Sequence, residues 1–193
     1  MEKATDLETL RAILEARDGV GLASRDDCIT VARRLKNHRR IGLLPSSKEV
    51  GVTGVTLQLA KSFVELYDSP VGVVDANRRW PGVASLVGEV PISFSPCFGE
   101  VWIEPQVALL VPNATTKTGA GVFQLANMVE ESRFSHMLCD LTGFWQLGEH
   151  LAAASLLDGV LIVGRAGHTR ENDLLRLSDE ITPSRNLGVL LVG

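Results

Sequence analysis

Arg40-Ile-Gly-Leu-Leu-Pro-Ser46 runs into Ser47-Lys-Glu-Val-Gly-Val-Thr53-Gly-Val-Thr-Leu-Gln-Leu-Ala60. Ile41 to Leu44 is a short apolar run that reads as a buried strand. From Thr53 to Tyr67, Val55, Leu57, Leu59, Ala60, Phe63 and Val64 recur at helical spacing and make the helix apolar on more than one side. Between them lies a short loop with Gly51 and Gly54. Strand, glycine-containing loop and well-covered helix form the opening unit of an α/β sheet. The loop stands where such sheets bind ligands.

The rest of the chain repeats that alternation. Val71 to Val74, Val107 to Val111, Ser135 to Cys139, Gly159 to Val163 and Leu187 to Val192 read as further apolar strands. Helices are expected at 25–37, 119–132, 147–157 and 169–181, the first capped by Ser24. Gly82 to Trp102 is punctuated by Pro91, Pro96 and Gly99 and reads as irregular. Apolar strands alternating with helices imply a mostly parallel sheet covered on both faces, a three-layer αβα sandwich. The 193 residues suit one domain spanning 1–193, with 1–24 as a helical extension in which Leu7, Leu10, Ile13 and Leu14 share a stripe.

Bulk properties exclude several classes. Net charge is −4, which disfavours nucleic acid as a partner. The basic run Arg33 to Arg40 reads as a solvated helix end, with a docking patch for an acidic partner or phosphate as the alternative. No apolar run reaches the ~20 residues of a membrane span, so direct membrane insertion is not expected. The start Met-Glu-Lys-Ala-Thr-Asp lacks a signal peptide's apolar stretch, and the reading is cytoplasmic. Cys28, Cys97 and Cys139 are scattered and odd in number, against both a disulfide framework and a zinc site. His38, His136, His150 and His168 show no metal-ligand spacing. No G-x-S-x-G elbow is present for acyl transfer.

Three polar features fall at expected strand ends: the loop 46–54, Asp75 and Asp140. Two carboxylates beside a glycine-containing loop suit a magnesium–nucleotide site, because magnesium takes one or two carboxylates together with phosphate oxygens. Each aspartate alone reads equally as a helix cap or a loop hydrogen bond. Trp80 and Trp145 follow the two aspartates, and an indole there would fill nucleotide space.

The pattern resembles the MinD/ParA branch of P-loop ATPases, and within it the cytoplasmic domain of bacterial tyrosine kinases and related capsule or exopolysaccharide proteins. The likeness runs from about Asp26 to the end. Val71-Gly-Val-Val-Asp75-Ala-Asn-Arg-Arg-Trp-Pro81 is similar to that family's second acidic motif, D-A-D-x-R-x-P, with Asn77 for its second aspartate. Ser135-His-Met-Leu-Cys-Asp140-Leu-Thr resembles the Walker B strand without its prolines. Ala154-Ser-Leu-Leu-Asp-Gly159-Val-Leu-Ile-Val-Gly-Arg165-Ala-Gly167-His-Thr169-Arg resembles A-D-G-V-L-L-V-V-R-x-G-x-T.

The resemblance implies a P-loop NTPase-like fold and a phosphate loop P-G-E-G-K-S/T-T over Lys48-Glu49-Val50-Gly51-Val52-Thr53-Gly54. The implied nucleotide-binding positions are Lys48, Gly51, Val52, Thr53 and Gly54. The implied magnesium ligands, if nucleotide binds, are Thr53, Asp75 and Asp140. The catalytic lysine position is Val52. That lysine neutralises phosphate charge, and one charge-assisted hydrogen bond is worth roughly 1.5–3 kcal/mol, about tenfold to 150-fold in affinity. Glu49 adds a negative charge nearby; Lys48, Arg78 and Arg79 are the candidate replacements. The single tyrosine, Tyr67, lies in a predicted helix, and no C-terminal tyrosine cluster follows. The expectation is a pseudo-ATPase or pseudokinase in which Asp75 and Asp140 are vestigial and no cofactor is required. It would act through protein partners in polysaccharide synthesis or export, peripheral to the inner membrane through a partner, with homo-oligomers a further expectation. The alternative is a divergent enzyme using Mg-ATP/ADP, for which Val52→Lys tests whether the remaining geometry is intact.

Overall fold

A computed structural model describes residues 23–48, 50–76, 82, 98–112 and 121–193. Seven strands form one sheet: β1 (Arg40–Pro45), β2 (Val71–Val74), β3 (Phe98–Glu104), β4 (Val107–Pro112), β5 (His136–Asp140), β6 (Gly159–Arg165) and β7 (Asn186–Val192). Their order is β3-β4-β2-β5-β1-β6-β7, with β3 antiparallel to β4 and every other pair parallel.

Helices α1 (Arg25–Arg34) and α2 (Val52–Tyr67) cover one face. The opposite face carries α3 (Gly121–Val129), α4 (Thr142–Gln146), α5 (His150–Ala154) and α6 (Glu171–Glu180). Period-two alternation splits each central strand between two cores. Ile41, Leu43, Leu161 and Val163 join Val55, Leu59 and Phe63 of α2; Leu44, Val160 and Ile162 join Leu125, Phe144 and Leu177 across the sheet. Each such aliphatic side chain contributes about 1.5–3 kcal/mol on burial. The sandwich expected from the alternating pattern is therefore present. Ser24 caps α1 as expected, its Oγ accepting the Asp27 N–H at 3.1 Å.

The departures are local. Part of the stretch expected to be irregular, 98–102, belongs to β3, an antiparallel edge strand that also carries Trp102, expected beside a loop. Pairing with β4 supplies the order that the proline-rich run before it obscures. The helix expected over 147–157 is the shorter α5, and α4 just before it was not expected. Gly148, at φ +72°, separates them, so the continuous apolar periodicity does not propagate through it. The extension 1–22, Cys97, Trp80, Asn77, Arg78, Arg79 and Glu49 lie outside the described residues.

Several isolated side chains have packing roles. Cys139 is fully buried, and burial pushes its thiol well above the ordinary range, so it is inert; burial likewise pushes Cys28 up to about 12. His136 stands 4.2 Å from the Phe63 ring, with Nε2 3.2 Å from the Lys36 carbonyl, and burial lowers its pKa below the usual histidine value. The basic run is divided. Arg39 donates to the carbonyls of Glu131 and Phe134, and Arg40 pairs with Glu130 at 3.2 Å, whereas Arg33 and Arg34 end α1 exposed to solvent. Cations at a helix C-terminus suit its dipole. Among the described residues no helix is long and apolar enough to cross a membrane.

Candidate functional site: the cluster at the strand ends

β1 lies at the centre of the sheet, between β5 and β6, and the chain after it crosses β5 to reach β2. Asp140 ends β5 level with Leu43 of β1. Val74 of β2 lies level with Cys139, so Asp75 and Asp140, the next residue after each, stand at the same level at neighbouring strand ends. This is the carboxyl edge of an α/β sheet at a change of strand direction, where such folds bind ligands.

Two of the three residues implied as magnesium ligands touch, and Gly82 links the third to them. Thr53, in the first turn of α2, donates its hydroxyl to Asp140 Oδ2 at 2.7 Å. The other oxygen of Asp140 accepts the Thr142 N–H at 2.9 Å. Asp75 Oδ2 accepts the Gly82 N–H at 2.7 Å. Both carboxylates are buried, each 2% exposed. Gly82 joins the two halves of the cluster. A Cβ added there would lie 2.6 Å from Asp140 Oδ2 and 3.0 Å from Thr53 Oγ1, so a side chain at this position would have to displace them.

The loop itself departs further from a phosphate cradle. Gly51 caps α2 at φ +84°, ψ +28°, a left-handed conformation that favours glycine, and it is exposed. Val50 and Val52 on either side of it are buried in the α1–α2 core, at 2% and 3% exposure. The position that the family fills with its phosphate-binding lysine is thus part of the hydrophobic core. Lys48 is exposed to solvent, and Thr53 and Gly54 are half-buried. Ser46 stitches the loop to the neighbouring strand: its N–H donates to the Val163 carbonyl at 2.9 Å, and its Oγ lies 3.1 Å from the Thr169 hydroxyl. Thr169 Oγ1 also accepts the Arg165 N–H at 2.7 Å. The segment 165–169, matched on its family pattern, therefore fixes the loop's start and presents no group to the strand-end cluster in these contacts.

Magnesium fits the donors in kind, since a threonine hydroxyl and two aspartates are hard oxygen ligands. Thr53 and Asp140 would hold such an ion, which would supply charge neutralisation to phosphate oxygens. Among the described residues, Val52 stands where the resemblance implies the phosphate-binding lysine. A helix N-terminus still directs N–H groups toward the loop, without a cation on it at position 52. The structure brings Thr53 onto Asp140 and sets Asp75 on the Gly82 amide; the Gly82 and Thr142 amides are contacts that sequence reasoning missed. Pro81-Gly82, a turn-forming dipeptide shortly after Asp75, was the available signal. The alternative reading of each aspartate as a loop hydrogen-bond acceptor also describes contacts that both make.

Neither a scan against protein-family models nor a search of curated proteins finds a match. Solved structures share the fold. The kinase domain of the Escherichia coli tyrosine kinase ETK superposes with a TM-score of 0.64 at 12% identity, covering 82% of this chain and 68% of that one. The VpsO kinase domain gives 0.60 at 18% identity, covering 85% and 94%. A ParA family ATPase from Chlorobium tepidum TLS gives 0.51 at 13% identity, covering 79% and 73%. The chain therefore has a P-loop NTPase-like fold of the kind found in bacterial tyrosine kinase domains and in a ParA-type ATPase. This agrees with the resemblance read from its motifs.

Proposed function

We propose that this chain is a degenerate P-loop domain, a pseudo-ATPase or pseudokinase. It acts as a regulatory or scaffold component by binding other proteins, in polysaccharide synthesis or export. The reading is supported above all by Val52: a buried apolar side chain stands where transferred phosphate needs a cation. The Gly82 backbone over Thr53 and Asp140 supports it further. The polysaccharide setting comes from the kinase resemblance, a weaker warrant than the site itself. Partners would be a membrane synthesis or export complex and further copies of the chain, and the location would be cytoplasmic at the inner membrane.

A second reading has its own observation. Thr53 touches Asp140, and Asp75 meets the Gly82 amide beside them, which supports a divergent Mg-ATP enzyme whose lost lysine is replaced from elsewhere, Lys48 being one candidate. Phosphate release and phosphotransfer at millimolar Mg-ATP separate the two. The pseudoenzyme reading expects the same background rate from the wild type and Asp140→Ala. Turnover in the wild type that Asp140→Ala lowers a hundredfold or more would establish the enzyme, because removing an essential metal ligand acts on the transition state.

A further inference from the structure

We infer that two copies of this chain pair edge to edge through β7, antiparallel across a two-fold axis, so that their sheets continue into one. The inference rests on the self-association included in the proposed function and assigns it a surface, whether or not nucleotide binds. Among the described residues the sheet ends at β7. The Val192 carbonyl accepts the Ala166 N–H at 2.7 Å, so Val192 and, two residues back, Leu190 turn their backbone groups toward β6. The alternate residues, Val189 and Leu191, turn theirs to the outer side. Their side chains are exposed as well, 45% and 54%, whereas Leu190 and Val192 are buried in the α1–α2 core. Leu191 adjoins Leu174 of α6, both lying against Gly164. Gly188, at φ +103° with its N–H held by Asn186 Oδ1, sits in a register shift that confines the regular edge to 189–192.

Sheet edges are ordinarily guarded by charge, proline or a cover. The other edge strand, β3, carries Glu100 and Glu104. From Leu187 to Val192 there is neither a charge nor a proline. Such an edge is complementary to itself. With Leu190 on the two-fold axis, Val189 faces the partner's Leu191 and Leu191 faces the partner's Val189. Each pair exchanges both of its N–H···O bonds and sets its apolar side chains together on one face. Pairing β7 with β3 of another copy would leave an open edge at each end and grow without closing, whereas the two-fold closes.

Sedimentation equilibrium of the whole chain, from micromolar to millimolar concentration, gives the dimer constant. The wild type is expected to dimerise. Leu191→Lys and Val189→Glu are each expected to weaken the dimer about tenfold or more, because a two-fold interface carries every change twice. Combining them places each new carboxylate opposite the partner's new ammonium and should recover most of the loss; a double variant no tighter than the single ones overturns the antiparallel register. A dimer that neither single variant weakens overturns this surface and leaves self-association standing. A monomer at every concentration overturns both. Amide exchange of the wild type reads the same pairing without a substitution, should the variants fail to fold. The Val189 and Leu191 N–H groups are expected to slow about tenfold or more as concentration rises; rates that do not change with concentration overturn the pairing.

Discussion

Phe144→Ala should destabilise the fold by about 3–5 kcal/mol, the usual cost of emptying a fully buried aromatic site. Phe144 is 0% exposed and belongs to the core of the α3–α6 face, with Leu125, Leu141, Ala153 and Leu157. It lies in α4, the short helix that starts directly after β5 and whose first residue, Thr142, donates its amide to Asp140. The Glu149 N–H also bonds the Phe144 carbonyl at 2.8 Å, tying α4 to the turn before α5. Five helical residues cannot hold themselves by propensity, so the ring is what fixes the segment. Urea unfolding of the wild type and variant measures the loss. A midpoint shift equivalent to less than about 1 kcal/mol would mean that the site collapses around the missing ring, and that α4 is held by something other than Phe144.

Val52→Lys should cost about 3–5 kcal/mol as an uncompensated charge placed in a hydrophobic core. It should not restore nucleotide binding. Val52 is 3% exposed among the valines and leucines of the α1–α2 face. To reach phosphate the new ammonium must leave that core through the loop, and Gly82 still stands on Thr53 and Asp140. Recovering one charge-assisted contact would return at most tenfold to 150-fold in affinity. Chemical denaturation at pH 7 measures the stability, and titration with Mg-ADP measures the binding. A lysine variant as stable as the wild type that binds Mg-ADP at micromolar concentration would show that the loop keeps its old geometry and lost only the charge.

The contrast between these positions explains what the amino-acid order could and could not disclose. The central sheet was legible because β1, β2, β4, β5 and β6 are continuous apolar runs, as strands buried on both faces must be. β3 was not, because an edge strand buries less: Phe98 and Ile103 are buried, whereas Glu100, Val101 and Trp102 are partly or well exposed. A period-two signal that weak is masked by the prolines preceding it. Asp75, Asp140 and Thr53 could be placed from the motifs, since each is tied to a strand end or a helix start. Their contacts could not, because the Gly82 amide and the Thr142 amide are backbone groups, common to almost every residue and silent in a side-chain pattern. Val52 was visible as a missing lysine. That its side chain belongs to the core follows only from the fold around Gly51.

A nucleotide-free role is the claim on which the functional account depends. Calorimetric titration of the purified chain with ADP and then ATP, each with magnesium and carried to millimolar ligand, tests it most directly. The account predicts no saturable heat with either nucleotide. Saturable binding at micromolar concentration would contradict it and return Thr53, Asp75 and Asp140 to the service of an enzyme.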